Sequence, residues 1–200
     1  MGLIAPIGVD LEAVMTALRK ALKAVTYKVN EVRLTDIFRE NPHWYDVRYN
    51  SEEEKYRKYI AAGDQLCADS LRKDILALYG IAQLRKTASR PDGKHLPEAT
   101  VHVFRQLKRV EEIKTLDEVS GRNALNISCY APRKNRVSSL VKKMLKTERG
   151  TTKSKLESKA LEIIAMDEDE RDNPHGQRII ECYPLADFVI DCTSHKSLND

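Results

Sequence analysis

The stretch Leu3-Ile4-Ala5-Pro6-Ile7-Gly8-Val9-Asp10-Leu11 decides the fold that this sequence predicts. The residues from Leu3 to Ile7 are mostly apolar, which suits a buried strand. Gly8 permits a tight turn, and Asp10 is a favoured residue for capping a helix that starts at Leu11. The stretch therefore predicts a strand, a tight turn and a helix, the first unit of an α/β fold.

The same turn has the frame of a phosphate-binding loop without its charged residues. In the motif G-x-x-x-x-G-K-[ST], a lysine and a hydroxyl follow the last glycine, whereas Val9 and Asp10 follow Gly8 here. Backbone amides at a helix start can bind phosphate without a lysine. The candidate phosphate-binding residues of the loop are Pro6, Ile7, Gly8, Val9 and Asp10. The alternative is an ordinary strand–turn–helix corner that binds nothing.

Composition is that of an ordinary globular domain. The chain has 200 residues, 42% of them hydrophobic, and a formal net charge of +4. No apolar run approaches the roughly 20 residues of a membrane helix. The cysteines Cys67, Cys129, Cys182 and Cys192 form no C-x-x-C pair, which disfavours a zinc site and a disulfide framework. We expect a cytoplasmic protein with reduced thiols and no membrane partner.

Strand and helix patterns alternate along the chain. Strands are predicted at residues 3–7, 27–34, 100–104, 124–130 and 188–191. The pattern predicts a three-layer αβα fold around a five-stranded, mostly parallel sheet, in one domain over residues 1–192. Residues 133–155 are predicted to form a small helical lid, and residues 193–200 a loose tail or linker. In the helical middle of the chain, one helix is predicted to end near Ala62 and the next to carry Leu71 and Ile75 on its apolar face.

Basic residues outside the loop supply further candidates for phosphate binding. Arg105 and Lys108 follow the third predicted strand, where nucleotide kinases place a metal-binding acid and this chain has Gln106. Arg133 and Arg136 open a helix after Pro132. Arg72 falls between the second and third strands. Each of these, like the basic stretch Lys142–Lys155, has an alternative reading as a solvated charged surface.

Taken together, these stretches resemble the N-terminal P-loop kinase-like domain of the anti-phage dCTP deaminases, the deoxycytidylate-deaminase-type defence proteins. The resemblance spans almost the whole chain. The matching stretches are G-L-I-A-P-I-G-V-D-L, V-R-L-T-D-I-F-R-E, A-G-D-Q-L-C-A-D-S-L-R-K-D-I-L-A, F-R-Q-L-K-R-V-E-E-I, I-S-C-Y-A-P-R-K-N-R, G-Q-R-I-I-E and P-L-A-D-F-V-I-D.

The resemblance implies a fold similar to nucleoside monophosphate kinases and a role beside a zinc deaminase in antiviral defence. By position it places Arg136 as a lid arginine and Arg72 in the monophosphate region. It also implies a homo-oligomer in the full-length context. The deaminase signature, H-x-E followed by P-C-x-x-C, is absent here, so we expect the N-terminal domain of such a protein or a stand-alone relative.

Three functions follow as hypotheses. The first is a non-catalytic kinase-like domain that regulates a deaminase of the same native chain. It would do so by binding either a nucleotide together with Mg²⁺ or a partner. The second is an active (deoxy)nucleoside monophosphate kinase. The third is a module that binds RNA or protein through Lys142–Lys155.

Overall fold

A five-stranded, all-parallel sheet forms the centre of the computed structural model. The structure describes residues 1–43, 45–88, 99–148, 150–170 and 172–193. The strands are β1 (Gly2–Ile4), β2 (Lys28–Arg33), β3 (Thr100–Leu107), β4 (Asn126–Tyr130) and β5 (Phe188–Asp191). They lie in the order β2-β3-β1-β4-β5, and every neighbouring pair is parallel. The α/β prediction is confirmed.

Helices connect the strands and cover both faces of the sheet. They are α1 (Leu11–Ala24), α2 (Asp36–Glu40), α3 (Glu52–Ser70), α4 (Ile75–Ala88), α5 (Val110–Ser120), α6 (Arg133–Met144), α7 (Lys153–Glu168) and α8 (Ile179–Cys182). Helix α5 ends at Ser120, because Gly121 adopts a positive φ of 54° and stops it.

Alternation along β1 divides the core between the two faces of the sheet. Leu3 packs on the α1 face, together with Val14 and Met15 of that helix. Ile4, the next residue, packs on the opposite face with Leu76 of α4 and other residues of α5 and α8. Successive strand side chains point to opposite faces, so two adjacent apolar residues are enough to anchor both outer layers.

A third apolar cluster joins α3, α6 and α7 near the carboxyl ends of the strands. Its buried members include Ile60, Leu140, Met144, Leu156 and Ile163. Ile7, from the turn between β1 and α1, also belongs to this cluster. The predicted lid region therefore consists of α6, the start of α7 and their connection, and it packs directly against the turn. That it moves as a lid stays a prediction.

The boundary between α3 and α4 differs from the prediction. Helix α3 continues past Ala62 to Ser70, so the predicted end was wrong. Leu71 was also wrongly placed on an apolar face: it is 87% exposed and has a φ of 54°. Its backbone N–H donates to the carbonyl of Ala68, which terminates the helix in a left-handed cap without glycine.

The strand order creates a crevice at the carboxyl ends of β1 and β3. The chain leaves β1 through α1 toward β2, and it leaves the adjacent β3 through α5 toward β4. Because these two helices pack on opposite faces, the loops after β1 and β3 separate above the sheet. Ligands of open α/β sheets bind at such a point.

Of the predicted tail 193–200, only residue 193 lies among the described residues. Within the described ranges, no helix combines the length and the apolar character needed to cross a membrane.

Replacing Gly8 with alanine should destabilise the fold more than replacing Gly150. Both glycines have a positive φ, 96° and 87°, so both substitutions carry a similar backbone strain. A Cβ on Gly8 would lie 2.6 Å from the carbonyl oxygen of Arg136, whereas a Cβ on Gly150 meets nothing within 4 Å. We expect Gly8→Ala to lose about 1–3 kcal/mol more in the free energy of unfolding by urea denaturation. Equal losses would contradict close packing of the turn against α6.

Candidate functional site

A cavity of about 510 Å³ opens in the crevice at the carboxyl ends of the strands. The turn between β1 and α1, the ends of β2 and β3, and helices α2, α3 and α6 contribute to its wall. The candidate residues from the sequence that line it are Pro6, Ile7, Gly8, Val9, Asp10, Arg105 and Lys108. Arg72, Arg133 and Arg136 are not among the lining residues.

The turn between β1 and α1 has little room for a phosphate. Gly8 faces the backbone of Arg136 on α6, as the distances above show. Val9 lies in the apolar cluster under α1, so this position holds no charge. The Asp10 carboxylate accepts a hydrogen bond from the Ala13 N–H at 3.1 Å and thereby uses an amide of the helix start.

A carboxylate of the chain itself is bound to this turn. The N–H of Ile7 donates to Oδ2 of Asp167, at the end of α7, at 2.6 Å. Nζ of Lys108 lies 2.7 Å from Oδ1 of the same side chain and donates to the carbonyl of Ala5 at 2.6 Å. Asp167 is fully buried. An amide and an ammonium group that could have bound phosphate are therefore already paired.

The next residue, Glu168, forms ion pairs with Arg133 and Arg136, the two candidate residues at the start of α6. Arg136 donates to its carboxylate through Nη2 and to the carbonyl of Ala131 through Nε. Nη2 of Arg133 lies 3.5 Å from the other oxygen of Glu168. Arg136 is 6% exposed, so its pairing is the more protected of the two.

The remaining predicted counter-charges also pair within the chain. Nη1 of Arg105 lies 2.9 Å from Glu12 and contacts Glu31 as well. Arg72 donates to Asp74 at 2.8 Å in the turn between α3 and α4. The positive charge of the site is thus largely neutralised by the protein's own carboxylates.

Gln106 stands at a bulge where β3 ends. Its φ is 68°, unusual for a residue with a side chain, and the pairing of β3 with β1 shifts register around it. Its Oε1 accepts a hydrogen bond from the Thr35 hydroxyl at 3.1 Å, and the residue lines the cavity. A neutral amide at this position does not fit the role of a Mg²⁺-binding acid. Among the described residues, no His, Cys, Asp and Glu side chains form a group of three suited to a metal.

Aromatic side chains from α2, α3 and the segment between them line the cavity. They are Phe38, Tyr49, Tyr56 and Tyr59. Tyr59 lies 6.0 Å from Phe38 and 6.4 Å from Tyr49, measured between ring centres. Nζ of Lys55 lies 5.5 Å from the ring centre of Tyr49. Burial raises the pKa of Tyr56, which keeps its hydroxyl neutral. A flat aromatic ligand could stack on such a wall.

Two residues of the cavity, Lys143 and Gln177, were not among the candidates from the sequence and are identified only by the structure. Lys143 pairs with no carboxylate in the part of the chain that the structure describes. Gln177 is 8% exposed, and among the described residues no group donates a hydrogen bond to its buried Oε1. In the sequence, Lys143 is one of many basic residues, and Gln177 belongs to no motif. Nothing in either pattern indicates a shared cavity.

A second cavity, of about 350 Å³, lies on the other side of α3 and is lined by Asp64, Glu170, Asn173 and His175 among others. Arg109 connects the two cavities, because it lines the first and donates to Asp64 in the second. Burial raises the pKa of Asp64 to about 7, with a further contribution from Glu170 and opposition from Arg109.

A scan against protein-family models and a search of curated proteins found no match to this chain. What the cavity can bind therefore follows from its geometry and chemistry.

Titration of Asp64 should lower the free energy of unfolding as the pH rises. Its folded-state pKa of about 7 lies above the ordinary 3.8, so the folded protein holds a proton that the unfolded chain has released. This contribution is complete below about pH 4 and is lost as the pH rises through 7. Asp64→Asn should flatten the decline in the urea midpoint over that interval, whereas Asp69→Asn, at an exposed position on α3, should not. Identical pH profiles for wild type and Asp64→Asn would contradict the shifted pKa.

Proposed function

We propose that this chain is a kinase-like domain without phosphoryl-transfer activity that binds a nucleoside or nucleotide in the larger cavity. The aromatic wall at the switch point of the sheet carries this proposal, because it offers a stacking surface beside polar side chains of the same cavity. Lys143 provides a cation without a partner among the described residues, and Gln106 and Gln177 provide amides. A base, a sugar and a small anionic group match this set.

Several features argue against phosphoryl transfer. The buried side chain of Val9 replaces the loop lysine, and Gln106 replaces the metal-binding acid. Catalysis of this transfer depends on positive charge around the moving phosphoryl group. Arg105 and Lys108 of the cavity, and Arg136 outside it, are paired with carboxylates of the chain. The alternative, an active monophosphate kinase, would have to break those pairs in each turnover.

The resemblance to the anti-phage dCTP deaminases extends the proposal to regulation. In that view, ligand binding here controls a zinc deaminase carried by the same native chain. A preference of the cavity for deoxycytidine ligands would support this role. The ligand preference is therefore the property that connects the cavity with a deaminase.

A second candidate function is binding of an RNA through the basic stretch. Lys142, Lys146 and Lys155 are exposed and pair with no carboxylate among the residues described. Affinity that falls steeply with salt would favour nucleic acid. The stretch offers no aromatic residues for base stacking, which is why the cavity is the better supported site.

Calorimetric titration of the chain with deoxycytidine, dCMP, dCTP, ATP and GTP, each with and without Mg²⁺, tests the proposal. We expect saturable binding of at least one of these ligands and no phosphate transfer from ATP. Absence of binding to all of them would overturn the proposed function. Transfer from ATP would favour the kinase alternative.

Lys143→Glu should weaken the binding of dCMP about tenfold, since it reverses an unpaired charge on the cavity wall. Lys142→Glu makes the same charge change on the same helix, at an exposed position outside the lining, and should leave the affinity unchanged. Equal losses in both variants would indicate a long-range effect of net charge and not a contact in the cavity.

Tyr49→Leu should weaken nucleoside binding about tenfold if the ring stacks on the base. Tyr49 is 44% exposed, so its loss should affect folding little. Tyr27 has the same exposure but lies immediately before β2, outside the lining, so Tyr27→Leu is the matched control. Titration with deoxycytidine measures both. An unchanged affinity in Tyr49→Leu would exclude stacking at this ring.

A further inference from the structure

The carboxyl end of α7 supplies two consecutive carboxylates to the groups that would otherwise bind phosphate. Asp167 accepts a hydrogen bond from the Ile7 N–H and forms an ion pair with Lys108. Glu168 forms ion pairs with Arg133 and Arg136. Adjacent residues of one helix therefore pair with an amide of the β1–α1 turn, with the cation beside it and with two arginines of α6.

We propose that Asp167 and Glu168 act as an internal substitute for phosphate and determine the specificity of the cavity. They confine it to a nucleoside or a nucleoside monophosphate and exclude a di- or triphosphate from the β1–α1 turn. The identity of the ligand rests on the proposed function above. The occupation of the phosphate positions rests on the contacts of α7 alone.

The burial of these pairs makes them hard to displace. Asp167 has no exposed surface, and Lys108 is 8% exposed. A phosphate entering the turn would leave the Asp167 carboxylate buried without its cation, which is strongly unfavourable. It would also approach a second negative charge at Glu168. Both effects oppose a polyphosphate and leave an uncharged nucleoside unaffected.

The rest of the cavity is chemically suited to the ligand that remains. Its aromatic wall, the Gln106 amide and the buried Gln177 amide recognise rings and hydrogen-bonding edges without requiring charge. Lys143 can neutralise one phosphate. The cavity wall thus offers aromatic rings and amides to uncharged groups of a ligand. Among the described residues, Lys143 is its single cation without a carboxylate partner.

Comparison of wild type with Asp167→Ala tests the specificity. Wild type should bind deoxycytidine or dCMP at least as tightly as dCTP. Asp167→Ala should bind dCTP about tenfold more tightly than wild type does, because it frees the Ile7 amide and Lys108. Glu168→Gln, at a more exposed position, removes the negative charge next to Asp167 and should shift the preference in the same direction. Tighter binding of dCTP than of deoxycytidine by wild type would overturn the inference.

Inorganic phosphate provides a test that is independent of the nucleoside. Asp167→Ala should be destabilised, and sodium phosphate should raise its urea midpoint more than sodium chloride at equal ionic strength, since phosphate can fill the vacated position. Wild type should respond equally to both salts. Asp74→Ala, which removes a buried carboxylate paired with Arg72 outside the cavity, should also respond equally.

The two tests separate failure of the inference from failure of the proposed function. If phosphate does not selectively stabilise Asp167→Ala, the substitute role is overturned even where nucleosides bind. If phosphate stabilises this variant selectively but no nucleoside or nucleotide binds wild type, the substitute role holds and the proposed function fails.

Discussion

The arrangement of loops and helices at the carboxyl ends of the strands depends on the buried contact between Asp167 and the turn after β1. It connects Ile7 after β1, Lys108 after β3 and the end of α7. Breaking a buried ion pair by removing one partner typically costs about 3–5 kcal/mol. The Asp167 contact therefore does more than neutralise charge, since it fixes α7, and with it α6, above the carboxyl edge of the sheet.

The packing of Gly8 against α6 follows from the same constraint. Because α6 and α7 are fixed against the carboxyl edge of the sheet, the backbone of Arg136 lies so close to the turn that only a glycine fits there. In a phosphate-binding loop, a glycine allows the ligand to approach the backbone. Here it allows a helix to approach. The same residue type serves ligand binding in one case and internal packing in the other, and only the neighbours distinguish the two.

The sequence was sufficient for the elements with strong local signals and insufficient for contacts between distant residues. The bounds of α5 follow from a helical pattern that ends at Gly121, and β5 was predicted at its observed position. The cap at Leu71 could not be predicted, because leucine rarely adopts a left-handed conformation. The partnership of Ile7 with Asp167 spans 160 residues, and no local pattern indicates it.

The polar groups of the cavity that lack partners are informative because such groups are costly. A buried acceptor without a donor costs about 1–3 kcal/mol, and the Oε1 atom of Gln177 has no donor among the described residues. The left-handed backbone of Gln106 adds strain at the same wall. Most charges around these amides are paired within the chain, whereas Lys143 and the Gln177 acceptor have no partner among the described residues. Under the proposed function, a ligand with a hydrogen-bond donor on a flat ring would satisfy Gln177 while stacking on the aromatic wall.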